Sequence, residues 1–289
     1  MFNGDSTTMQ VPTRNGVSEI LSTVEIEARL HARYRASGYS DRTWTNDRAL
    51  LRRINRSAGH PANVTVEDME DIVLSANLTN SRSMYVERFK SLWTTMRELN
   101  LIPKDARPDE ELPKIRRTKC SPRPLSDAQA MTLMRSAAQP MRDWFLLGCM
   151  SGLRAMEVSG LRGSDLEHTR DGYVLRVRGK GNTELTIPAH SDVVNMIQSH
   201  VRLGRLWTQN PLNVSKMACA EMRRLGIDMH FHCCRHYFAT SVLAASGGDI
   251  VTTSNLMRHS SIQTTMGYAK LGDDRPRSIL ERLAGPHAA

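Results

Sequence analysis

From Val17 to about Leu101, apolar residues recur three and four apart, the spacing that lines one face of a helix. VSEILSTVEIEARLHARYRASG reads as a first helix ending at Gly38, a residue suited to the left-handed position just past a helix C-terminus. Trp44–Ser57 is a second helical stretch, and Thr65-Val66-Glu67-Asp68 opens a third with a capping-box pattern. A longer helix is predicted from about Asn80 to Asn100, with Met84, Phe89, Leu92, Trp93 and Met96 on its apolar stripe. No strand-like alternation appears in this half. The expectation is a disordered, polar N-terminus over 1–16 and a small all-helical domain over 17–102.

Residues 103–124, PKDARPDEELPKIRRTKCSPRP, have no apolar periodicity and are broken by prolines, as in an interdomain linker. Beyond it, over 125–289, helices are predicted at Ser126–Ala138, Met141–Met150, Met156–Leu161, Asp192–Arg202, Asn213–Leu225, His236–Ala245 and Ile250–Met257. GYVLRVRGKGNTELTIPA alternates in period two around Gly179-Lys180-Gly181-Asn182, the mark of a β-hairpin with a glycine-bearing turn. A short amphipathic helix, Arg277–Leu283, closes the chain, with Ile279, Leu280 and Leu283 on one side. No segment repeats at a fixed period. The fold class expected is mainly α with a small antiparallel β-sheet, in two domains.

Composition sharpens this picture. A chain of 289 residues accommodates two compact domains with separate cores. Its formal charge of +9 and isoelectric point near 9.6 favour a polyanionic partner, and nucleic acid is the usual one. No apolar run of about 18 residues marks a membrane-crossing helix, and MFNGDSTTMQVPTRNG lacks the basic start and apolar stretch of a signal peptide. Five cysteines, Cys120, Cys149, Cys219, Cys233 and Cys234, are an odd number badly spaced for a disulfide framework. A reducing, cytoplasmic location fits these features.

The second half also carries an ordered set of groups suited to opening a phosphodiester without a metal. That reaction needs a nucleophile, positive charge on the non-bridging oxygens, and a proton for the leaving oxygen. Arg154 and Arg235 are the candidates for the charge, because a guanidinium binds two phosphate oxygens at once and stays protonated. Arg154 follows Ser151-Gly152-Leu153, a sharp turn at a helix start, and Glu157 one turn on is placed to fix its rotamer. Lys180, at the hairpin tip between two glycines, is a candidate donor to a leaving 5′ oxygen. His232 and His259 are candidates to donate to the phosphate or to manage the nucleophile's proton. Tyr268 is the candidate nucleophile. Its rival Tyr237 lies among Phe238, Ala239, Val242 and Leu243 and reads as core, whereas Tyr268 follows a Ser/Gln/Thr-rich stretch, so its hydroxyl is expected to be exposed. His230, His232, Cys233, Cys234 and His236 invite a zinc reading, but adjacent cysteines do not easily share one tetrahedral site, and no metal or other cofactor is expected.

The segments GLRAMEVSGLRGSDL, GKGNTELTIP, HCCRHYFAT and LMRHSSIQTTMGY together resemble the tyrosine recombinase (phage integrase) family. The likeness extends over nearly the whole chain, since that family also carries a helical DNA-binding domain joined by a linker. It implies an active site of Arg154, Lys180, His232, Arg235 and His259 with Tyr268 as nucleophile, a 3′-phosphotyrosyl DNA intermediate, and release of a 5′ hydroxyl that later attacks the link. It also implies a homotetramer on synapsed duplexes with inverted core half-sites, an accessory or directionality factor, and a tail that docks on its own domain or on a neighbour. Two positions depart from the family pattern. Cys233-Cys234 replaces the common Asp-Leu, which cysteine is small and apolar enough to tolerate. Arg258 stands where glycine is usual, which either alters the turn holding His259 or adds a phosphate contact.

For DNA holding, Arg42, Arg48, Arg52, Arg53 and Arg56 cluster along Trp44–Ser57, with Arg48, Arg52 and Arg56 on one face suited to a major groove. Lys114, Arg116, Arg117, Lys119 and Arg123 make the later linker basic, either a solvated connection or, as the overall charge favours, a strap across the DNA backbone. No further domain is expected before residue 17, so simple core sites are expected. Alternatives to a recombinase are a non-catalytic sequence-specific DNA-binding protein of the same fold, or an enzyme like a type IB topoisomerase or telomere resolvase.

Overall fold

The computed structural model describes residues 9–12, 18–118, 121–179, 183–200, 204–259 and 261–269. They divide into two compact units, one ending at Cys120 and the other beginning at Ser121, each with its own buried apolar cluster. The expected tail helix Arg277–Leu283, and the candidates Lys119 and Lys180, lie outside the described residues.

The first unit opens with a two-stranded antiparallel pairing of β1 (Met9–Pro12) and β2 (Ser18–Leu21). This differs from the unstructured N-terminus and strand-free half that the sequence predicts. Two four-residue strands are too short to show alternation, and β2 gains a tertiary anchor: Leu21 is buried, and its carbonyl lies 3.2 Å from Nε2 of the fully buried His60. Helix α1 (Thr23–Ala36) therefore begins later than Val17, at a capping box formed by Ser22 and Glu25. Helices α2 (Asp41–Ala58), α3 (Val66–Leu74, with the Thr65/Asp68 capping box) and α4 (Thr79–Glu98) follow. They enclose Ile26, Leu30, Leu51, Ile54, Met69, Phe89, Leu92, Trp93 and Met96, all essentially solvent-free. Met84, expected on the α4 stripe, is 44% exposed.

The stretch 103–124, expected as a linker, is packed on the first unit over much of its length. Its short helix α5 (Pro108–Glu111) contacts α3 and α4. Arg97 on α4 grips the buried Asp109 through two hydrogen bonds of 2.6 and 3.0 Å, and Leu112 joins the apolar cluster. One leucine and one ion pair make no periodic pattern, which is why this packing leaves no local sequence signal.

In the second unit, α6 (Asp127–Ser136), α7 (Met141–Ser151) and α8 (Ala155–Gly160) precede a three-stranded antiparallel sheet, β3 (Leu166–Thr169), β4 (Gly172–Arg178) and β5 (Glu184–Pro188), with β4 central. Leu175 pairs with Ile187 across β4 and β5, and both turn into the core. The predicted hairpin is closed at its neck by the Gly179 N–H donating to the Thr183 carbonyl (2.8 Å). Helices α9 (Ser191–Ser199), α10 (Pro211–Arg224), α11 (His232–Ala245), α12 (Ile250–Met257) and α13 (Ile262–Ala269) complete it. Helix α7 is the hub, packed by α6, α9, α10 and α11. Its Gly148 allows α11 to approach closely, since a Cβ there meets Cys234 Cβ at 2.8 Å. Cys233 and Cys234 are both buried, as their apolar character predicts. The architecture is mainly α with a small antiparallel sheet. No helix among the described residues is long and apolar enough to cross a membrane.

Candidate active site

The site is built on the turn between α7 and α8. Helix α7 ends at Gly152, in the left-handed conformation (φ 61°), with the ring of Phe238 so close that a Cβ meets its Cδ1 at 2.5 Å. That turn aims Arg154 as the N-cap of α8. The Arg154 backbone N–H donates to Glu157 Oε2 and its Nη1 to Oε1, each at 2.8 Å. Glu157 thus fixes the Arg154 rotamer, as its spacing predicts, while the Arg154 guanidinium stays partly open to solvent.

Two further guanidiniums converge on the same turn. Arg235, on α11, is 1% exposed and donates to the carbonyls of Gly152 and Met257. The Arg258 side chain is also buried. It donates to Glu157 Oε2 (3.0 Å) and to the carbonyls of Gly152 (3.1 Å), Leu256 (3.0 Å) and Ser151 (3.3 Å). The structure shows an inward tie, which is neither of the two roles expected for Arg258. Its backbone takes the left-handed conformation (φ 54°), the one for which glycine is the natural residue. Three guanidiniums around one carboxylate leave positive charge to spare. Burial raises the Glu157 carboxyl, but Arg258 and Arg154 outweigh it and hold the group below its usual range. Burial, then the charges of Arg154 and Arg258, push the Arg235 guanidinium down to about 9.

Tyr268 is on α13, a helix the sequence pattern does not predict. Its hydroxyl is not exposed, contrary to expectation. The residue is 4% accessible, its ring packs with Ala239, Leu243, Met257 and Phe238, and its Oη lies 2.7 Å from His236 Nδ1. The reason is an inverted helix face: Thr265 and Tyr268 turn inward while Ile262 and Met266 turn out. The His259 ring stacks over that of Tyr268 (centroids 6.4 Å apart, 9° between planes), and its Nδ1 lies 2.8 Å from Thr265 Oγ1. His232 meets His236 edge-on at 4.7 Å. His232, His236 and His259 are each pushed down to about 4, first by burial and then by neighbouring cations and histidines, so all three are neutral near pH 7. Burial raises the Tyr268 phenol, and Arg235 and Arg154 partly offset it.

Arg154, Arg235, His232, His259 and Tyr268, with Glu157, are therefore brought together. His236 belongs with them, although the sequence offers it only as the start of a helix and as one residue of the discarded zinc reading. The four-residue step from His232 to His236, which puts both on one face of α11, is the signal that identifies it. Among the described residues no group of three or more His, Cys, Asp or Glu side chains is arranged to hold a metal.

The candidate DNA-contacting residues are in varied settings. Arg48 and Arg52 share one carboxylate, Glu27, at 2.8 and 2.9 Å. Arg53 bonds Ser75 Oγ and Tyr85 Oη, and Arg117 bonds Ser83 and Glu87. Arg42, Arg56, Lys114, Arg116 and Arg123 are exposed.

A helical unit with a small sheet thus gathers arginines, histidines and one tyrosine around a single turn. The sequence profile of the phage integrase family matches residues 124–275, over half of the chain, and the chain belongs to that family. It is similar to the tyrosine recombinase XerD of Yersinia pestis, at 32% identity over 184 residues, 55% of this chain and 60% of that one. It is similar also to the tyrosine recombinase XerC of Agrobacterium fabrum, at 28% identity over 279 residues, 83% of this chain and 86% of that one. The match thus spans about three fifths of the XerD relative's length. Among solved structures, a lambda integrase (75–356) dimer bound to a COC′ core site aligns with a TM-score of 0.65 at 14% identity, covering 88% of this chain and 96% of that one. The Tn1549 transposon integrase in complex with a circular intermediate DNA aligns with a TM-score of 0.64 at 18% identity, covering 90% and 99%. At these identities the structural likeness is one of fold.

Proposed function

We propose that this chain is a tyrosine site-specific recombinase that cuts and rejoins DNA strands through Tyr268. The observation that carries the reading is the seating of one phenolic hydroxyl among neutral histidines, beside a turn on which three guanidiniums converge, in a member of the phage integrase family. Arg154 and Arg235 hold the non-bridging oxygens of the scissile phosphate and the charge that builds on them. The Tyr268 oxygen attacks phosphorus, the bond to the 5′ oxygen breaks, and a 3′-phosphotyrosyl link forms. The neutral imidazoles offer acceptor nitrogens for the phenolic proton, and Lys180 is assigned to protonate the departing 5′ oxygen. Attack by a 5′ hydroxyl from a partner duplex reverses these steps, so bond energy is conserved and no cofactor is needed. The partner is double-stranded DNA with inverted core half-sites, bound by both units and the basic residues of 103–124. The working assembly is a homotetramer on synapsed DNA, open to directionality or host accessory factors, in a bacterial cytoplasm or nucleoid.

The test is a denaturing-gel assay for protein–DNA adducts, using nicked duplexes that carry sites selected by binding. An adduct with wild type that is lost in Tyr268→Phe supports the proposal. Tight, salt-sensitive binding with no adduct from either protein makes the chain a non-catalytic DNA-binding protein.

A further inference from the structure

We infer that His236 is a positioning residue for the nucleophile: its Nδ1 accepts the Tyr268 hydroxyl proton in a hydrogen bond that aligns the phenol before DNA arrives. This rests on the recombinase reading above. The geometry points to it in three ways. Tyr268 Oη and His236 Nδ1 are 2.7 Å apart, well within hydrogen-bond range, in a place where the phenol is almost entirely shielded from water. A buried hydroxyl without a partner is costly, so the bond decides where the oxygen rests. The contact also joins α13 to α11, the helix that carries His232 and Arg235. The nucleophile is thereby referenced to the phosphate-binding side chains rather than to its own helix alone. Finally, the apolar cluster holds the ring and the His259–Thr265 contact holds the helix, while the His236 bond adds a tie at the reacting oxygen itself.

The direction of the bond follows from chemistry. A shielded phenol keeps its proton, and a neutral imidazole with its proton on Nε2 presents Nδ1 as an acceptor. The bond is in place before DNA arrives, so alignment is the role assigned to His236, and taking the phenolic proton during attack is left to His232 or His259.

Two variants separate the roles. In His236→Asn the amide oxygen takes the place of Nδ1 and accepts the same bond, yet carries no titratable proton. In His236→Ala the bond is gone. Single-turnover cleavage of the nicked duplex at saturating DNA is expected to fall roughly ten- to a hundredfold in His236→Ala with Kd unchanged. His236→Asn is expected to remain within about threefold of wild type. An alanine variant at wild-type rate overturns the proposal, and so does an asparagine variant as slow as alanine, which would make His236 a proton acceptor. A second arm needs no activity: imidazole 15N spectra of the DNA-free protein are expected to show His236 as the Nε2–H form, with an Nδ1 shift that moves in Tyr268→Phe. An Nδ1–H form, or a shift indifferent to Tyr268→Phe, overturns it. If wild type yields no adduct on any substrate, the recombinase reading fails, and the spectra still decide whether the bond exists.

Discussion

Tyr268→Phe removes one hydroxyl from a buried phenol and leaves the ring in its apolar seat. Stability is expected to change by no more than about 1 kcal/mol, the net worth of a single hydrogen bond, while the covalent adduct disappears. Thermal melts beside the adduct gel check both halves. Glu157 is different, because its 1% exposed carboxylate is the counter-charge for both Arg154 and Arg258. Glu157→Gln leaves Arg258 buried with its charge uncompensated, and a loss of about 3–5 kcal/mol in urea unfolding is expected. A variant as stable as wild type would mean that the backbone carbonyls around Arg258 suffice. The histidines set a pH dependence whose sign is fixed. In the folded chain His232, His236 and His259 take up protons only near pH 4, whereas an unfolded imidazole does so near 6.5. Between those values the unfolded chain binds more protons, so their contribution is fully present above about 6.5 and is lost as pH falls toward 4. The melting temperature of the DNA-free protein is expected to drop between about pH 7.5 and about pH 5, and a flat profile would contradict the buried neutral state.

At the level of elements, the α7–α8 turn is the joint on which the site depends, since the Gly152 carbonyl accepts from both Arg235 and Arg258. Gly152→Ala puts an L side chain in the left-handed region, at roughly 1–2 kcal/mol, and drives a Cβ into Phe238, at a further ~1–3 kcal/mol. Urea unfolding checks the sum, and single-turnover cleavage of the folded fraction reports whether Arg154 and Arg235 have moved. Much of this framework is legible in sequence. Long helices with apolar faces, such as α4 and α10, and the hairpin around Gly179, declare themselves through periodicity. Elements whose order is imposed by tertiary packing do not. Strands β1 and β3 are four residues each, α5 is held by the Arg97–Asp109 pair, and α13 turns its threonine and tyrosine inward while its isoleucine and methionine face water. The candidate site is legible because arginine, histidine and tyrosine carry the chemistry by type. His236 shows only through its four-residue step from His232, and the inward tie of Arg258 depends on which way a side chain points, which spacing does not disclose.

For the whole molecule, the separate apolar clusters of the two units predict that residues 121–289 expressed alone stay folded, with a cooperative melt. A molten, non-cooperative profile would show that the second unit depends on the first. The net charge of +9 predicts DNA affinity that falls steeply with salt. Replacing the exposed Arg42 or Arg56 by alanine is expected to reduce the slope of log K against log salt by about 1 for each phosphate no longer neutralised. The ring of Tyr268 belongs to neither main cluster. It sits in a small third one, built from Ala239, Leu243, Met257 and Tyr268 with Phe238 and Ile250 against them. Little buried area has to be exposed to lift α13 away, so its amides, residues 262–269, are expected to exchange with solvent deuterium through a local opening well below the global unfolding free energy, while those of α7 exchange only when the whole unit unfolds. The helix that bears the nucleophile is then less costly to set loose than α7, and the reactive group rides on an element that can part from the core while the rest of the unit stays folded.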